Sequence, residues 1–168
     1  MSGLLLPLLL LVILAAATGL LALGGFWRAL VAFFNVQLAA SLATAWYPTL
    51  ADLLEGQVPA YRYLLDFLSI WLIFVVVASL TRAATDWLAP NKVAFPPLVE
   101  RIGCGIASFL TAWVLMAFTA ASLHTAPVPR DFIQPTPEAR MLSILSPDRA
   151  WLGWVRHSSL SEIGRAHV

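Results

Sequence analysis

In 168 residues the chain carries 60% hydrophobic and only 11% charged side chains, more apolar surface than a water-soluble core of this size can hide. A formal net charge of +1 leaves no basic stripe for nucleic acid, and the single cysteine, Cys104, excludes a disulfide framework or a cysteine-based zinc site. Residues 1–126 hold 10 of the Asp, Glu, Lys and Arg side chains and residues 127–168 hold 9, so a membrane body, residues 1–125, precedes a polar tail.

The fold class predicted is an all-α membrane protein, a bundle of four transmembrane helices with a partly helical C-terminal tail. Residues 4–26 carry no charge and predict a first crossing at about 4–23. Ala15-Ala16-Ala17 would also suit a signal-peptide cleavage site, but no Lys or Arg precedes the apolar run. A second charge-free run predicts a crossing at 29–50, and the short Gly24-Gly25-Phe26-Trp27-Arg28 connector forces a tight antiparallel hairpin. After a polar interval with Glu55, Gly56 and Pro59, the third crossing is expected at 63–81 and the fourth at 102–123.

Trp46, Tyr47, Tyr61 and Tyr63 would mark one headgroup level, and Trp27 and Trp87 the other. Arg28, Arg82, Lys92 and Arg101 fall on the side of the first and third loops, against Arg62 alone in the second loop. That bias places these two loops in the cytoplasm and both termini on the outer side.

The tail, residues 126–162, is rich in proline and reads as an extended linker with a short helical piece near 138–145. Ser146-Pro147-Asp148 then has the form of a helix start, with Ser as cap and Pro at the first position. From there Trp151, Trp154 and Val155 share one face of an amphipathic helix near 147–157, lying on the membrane, against the bundle, or over a loop. Residues 163–168 back-translate to the opening of a common sequencing-library adapter. The expectation is therefore a longer natural chain and an adapter-derived ending, with no function for Arg165 or His167.

Few side chains suit chemistry. Asp66, inside the third apolar run, would join Gln37, Ser41 and Thr44 of the second crossing as a polar path, although Arg62 at spacing four also allows a plain ion pair. Arg28, Arg82 and Arg101 read as loop charges that set topology, and Arg82 with Asp86 and Glu100 with Arg101 would form a charged collar. Gly103, Ala107 and Thr111, with Cys104, Ser108 and Ala112, make small-residue rows for helix packing, in the bundle or between copies. No catalytic, cofactor-binding or metal grouping is evident, and Gly103-Cys104-Gly105 lacks the flanks of a phosphate loop.

Two short stretches carry a family resemblance. Gly25-Phe26-Trp27-Arg28 in the tight turn and Glu100-Arg101-Ile102-Gly103 at the head of the last crossing resemble the bacterial colicin V production protein (CvpA) family over roughly residues 8–125. Ala29, Glu100, Cys104 and Ser108 depart from the residues usual at those places, and the tail falls outside the resemblance. It implies a multi-pass protein of the bacterial cytoplasmic membrane, not an enzyme and without cofactors, supporting toxin production or secretion and envelope function. Its partners would be the lipid bilayer and either further copies in a small oligomeric conduit or a larger membrane complex that it serves as a scaffold. No nucleic acid is expected.

Overall fold

The computed structural model describes residues 5–56, 62–88, 93, 95–126 and 146–163. Five helices account for nearly all of them: α1 (Leu5–Ala22), α2 (Phe26–Glu55), α3 (Arg62–Leu88), α4 (Pro97–Ser122) and α5 (Pro147–Ile163). Among the described residues there is no strand, and the chain is an all-α membrane protein. Three helices, α2, α3 and α4, are long and apolar enough to cross a bilayer, while α1 is a shorter apolar helix. At 18 residues α1 rises about 27 Å, close to the roughly 30 Å hydrocarbon thickness.

The helices outrun the charge-free segments. α2 begins at Phe26 and ends at Glu55, α3 continues to Leu88, and α4 starts at Pro97, five residues before the expected crossing. A charge ends an apolar run without ending a hydrogen-bonded ladder, so Arg28, Asp52, Arg82 and Glu100 all sit on helical turns that continue past the charge-free runs. Pro97 occupies the first turn of α4, where its missing N–H costs no ladder bond. Pro48, inside α2, removes the donor that would reach the Thr44 carbonyl.

α4 is the hub, packing against α1, α2 and α5, while α3 packs along α2 and reaches α4 through Trp71 and Phe74. The hydrogen bond from Asn35 Nδ2 to Thr85 Oγ1, 3.2 Å, joins the start of α2 to the end of α3 and fixes their antiparallel register. α1 joins α4 through Leu6 and Leu10 against Met116 and Ala120. The centre of the bundle is aromatic. Fully buried Phe118 stacks on Phe74 at 4.7 Å and meets Trp71 and Trp151 edge-on at 5.5 and 6.0 Å.

The tail helix begins where the sequence places it, but by another device. Ser146 adopts a φ of 35° and its buried hydroxyl has no partner among the described residues, so it does not cap α5 through its side chain. Its carbonyl instead accepts from the Ala150 N–H at 3.1 Å. α5 runs on to Ile163, beyond the expected end near 157. The linker at 127–145, its expected helical piece near 138–145, Tyr61, Lys92 and, of the suspect ending at 163–168, all but Ile163 lie outside the described residues.

Candidate functional site: a sealed junction and a polar flank

The first region is the α1–α2 turn, where the two family-like motifs meet although 74 positions separate them. Phe26, the first residue of α2, donates its backbone N–H to Glu100 Oε1 at 2.9 Å. The cap position, Gly25, has no side chain to do this, and α4 supplies the acceptor. Gly25 sits at φ +84°, and a Cβ there would lie 2.8 Å from Glu100 Oε1, so both backbone and space require glycine. One turn along α4, Gly103 lies under the Phe26 ring, where a Cβ would approach ring carbons at 2.9 Å. Phe95 closes the other side of that ring, edge-on at 4.9 Å.

Below this contact the small residues of α4 are consumed inside the bundle. Cys104 Sγ donates to the Ala22 carbonyl at 3.3 Å, at the end of α1. Thr111 Oγ1 bonds the Ala107 carbonyl at 2.7 Å and reaches the Ala29 carbonyl of α2 at 3.4 Å. Ala107, Ser108 and Ala112 are buried with them. Both small-residue rows therefore serve contacts of α4 with α1 and α2 in this chain.

The second region is the flank where α5 descends along α4. His124 Nε2, just past the end of α4, lies 3.2 Å from Asp148 Oδ2 in the first turn of α5. Trp151 then inserts against Phe118 and donates its indole N–H to Thr44 Oγ1 at 3.2 Å. Below it a groove of about 400 Å³ separates the helices, lined by Phe33 and Gln37 of α2, Leu110 and Trp113 of α4, and Trp151 and Trp154 of α5. The Gln37 carboxamide has no hydrogen-bond partner among the described residues. In apolar surroundings such a group costs about 1–3 kcal/mol if it stays dry.

The expected polar path is divided by this arrangement. Ser41 and Thr44 return their hydroxyls to their own helix, at Gln37 O (2.6 Å) and Ala40 O (2.8 Å). Gln37 faces the groove. Asp66 is exposed near the start of α3, and the Asn35–Thr85 register sets it opposite the far end of α2, away from Gln37. The Arg62 side chain, its expected partner, lies outside the described residues.

Arg28, Arg82 and Arg101 are all exposed at the end of the bundle that carries the turn. Arg82 Nε and Asp86 Oδ2 stand 3.8 Å apart with side chains 64% and 73% exposed, a contact of little energetic weight. Glu100 is engaged at the turn, so among the described residues the expected collar is represented by this loose pair. The missing cap residue at Gly25 was the sequence signal for an acceptor supplied from elsewhere. No local pattern identified Glu100 as that acceptor, nor Thr44 as the seat of Trp151.

An α-helical membrane bundle built on a central α4, with its first turn locked to that helix, defines the class of protein. The family model for the colicin V production protein matches residues 6–163. The chain belongs to the colicin V production protein family. The match extends beyond residue 125, where the motif resemblance stops, and takes in α5, so the tail helix is part of the family pattern and not an addition to it. Comparison with curated proteins and with solved structures found no match.

Proposed function

We propose that this family member supports colicin V production from the bacterial cytoplasmic membrane as a non-enzymatic subunit of a small oligomeric conduit. The observation that carries the reading is the α5 flank, where Gln37 and a charged helix stand beside the apolar bundle at membrane depth. Polar groups at that depth are expensive unless they line a wet or proteinaceous path. Arg28, Arg82 and Arg101 cluster at the turn end, which supports a cytoplasmic turn and termini on the outer side. Neighbouring copies would enclose the groove. Asp66, remote from Gln37, has no part in the route.

The test is potassium and small-anion flux in proteoliposomes. Gln37→Leu should reduce flux several-fold and Asp66→Asn should leave it unchanged. Native protein that leaks no faster than empty vesicles removes the conduit.

The exposed charges of α5 also favour a second reading, a scaffold whose α5 meets the polar face of a larger membrane complex. Ser108 and Trp151 are buried, so crosslinkers belong at exposed Gly153 and Leu80. Recovery of one distinct heterologous partner from Gly153 supports the scaffold, and recovery of this chain alone supports the conduit.

A further inference from the structure

The depth of α5 follows from three contacts along its length. Asp148 lies beside His124 at the end of α4, Trp151 reaches Phe118 one to two turns further in, and Trp154 shares the groove with Leu110 and Gln37. α5 thus runs antiparallel to α4 from the bundle's end toward its middle. From Asp148 to His157 it advances about 13 Å, nearly half of a roughly 30 Å hydrocarbon layer.

Over that stretch Arg149, Gly153, Arg156 and His157 are exposed on the outside of the bundle. α4 meets the same levels with an apolar sequence and α3 carries Leu72, Val75 and Val76 exposed at comparable depth, as a lipid-facing surface should. Ionisable side chains at mid-membrane face a bundle interior or a water-filled cavity, not acyl chains. The two outer surfaces of this molecule therefore require different surroundings.

The inner end of that surface is also defined. Gln37, which lines the groove, lies at the level of Trp113 and Val114. Toward the turn, Thr111 packs on Ala29, Cys104 on Ala22 and Gly103 on Phe26, so the helices close on one another there.

We propose that the α5 side of the bundle borders a hydrated inlet that opens at the His124 end, reaches Gln37 near mid-membrane and stops there. Its occupant is water, with the ions water carries. The inlet belongs to the conduit read above, but its presence is measured without any flux.

The experiment places single cysteines by His157→Cys, Gly153→Cys and, as the lipid-facing reference, Val76→Cys, which the Phe74–Phe118 stack sets at a similar depth. Native Cys104 is buried and gives the baseline. Each variant is reconstituted in phosphatidylethanolamine–phosphatidylglycerol vesicles and exposed to a charged, membrane-impermeant methanethiosulfonate reagent on one side at a time. The expected result is modification of His157→Cys and Gly153→Cys at least about tenfold faster than Val76→Cys, and only from the His124 side. Equal, slow modification at all three positions would overturn the inlet, as would fast modification in detergent that vanishes in vesicles. Modification from both sides would overturn its closed end. A labelled inlet without flux removes the conduit and leaves the inlet standing, whereas flux without labelling does the reverse.

Discussion

The turn end of the bundle and the α5 flank solve opposite problems with the same central helix. At the turn, α4 offers glycine, small side chains and one carboxylate, and the neighbouring backbones close on it until a single added Cβ would collide. Along the flank, α4 offers Leu110, Trp113, Val114 and Phe118, against which α5 packs through Trp151 while a groove remains beside the contact. Small residues give contact by removing volume, and aromatic residues give a seat for a large anchor, Trp151. The first region has a single arrangement available to it. The second hangs on a few contacts.

The largest expected effect tests that dependence. Phe118→Ala removes the ring that Trp71, Phe74 and Trp151 share, and should lower stability by about 3–5 kcal/mol, read as the midpoint of denaturation by SDS in mixed micelles. A loss under 1 kcal/mol would mean that α5 does not rest on this cluster.

Gly25→Ala combines a left-handed backbone with a 2.8 Å approach to Glu100 and should cost about 1–3 kcal/mol in the same titration. A neutral result there would erase the contrast between the two regions. Glu100→Ala leaves the Phe26 N–H without its acceptor and should cost about 1–2 kcal/mol, with Glu100→Gln recovering much of the loss because its amide oxygen still accepts. Trp151→Phe keeps most of the ring packing but not the hydrogen bond to Thr44, for about 1 kcal/mol. Arg82→Ala should stay within about 0.5 kcal/mol, since its pair with Asp86 is exposed.

What could be read from the sequence was what depends on local composition. The charge-free runs located α2, α3 and α4 because hydrocarbon excludes charge along a whole segment, and Pro147 marked the start of α5 because its ring suits a first helical position. The helix ends were not legible, since Arg28 and Glu100 interrupt hydropathy without interrupting hydrogen bonding. Nor was the site. Gly25-Phe26 and Glu100 read as separate motifs because their contact is made across the fold, and Asp66 drew notice only as an isolated charge in an apolar run. The spacing of Trp151, Trp154 and Val155 announced an apolar face but not its seat, because Thr44 and Phe118 become neighbours only after α2 and α4 have packed.

The acceptor for the first amide of α2 resides on α4, which has a consequence for biogenesis. A ribosome delivers the opening hairpin to the translocon well before Glu100 has been synthesised, so that elbow must wait, its N–H served by water or headgroups, until α4 arrives. Completion of the later half thereby fastens the earlier one, and a nascent chain arrested before residue 100 should expose an elbow that proteases can still open.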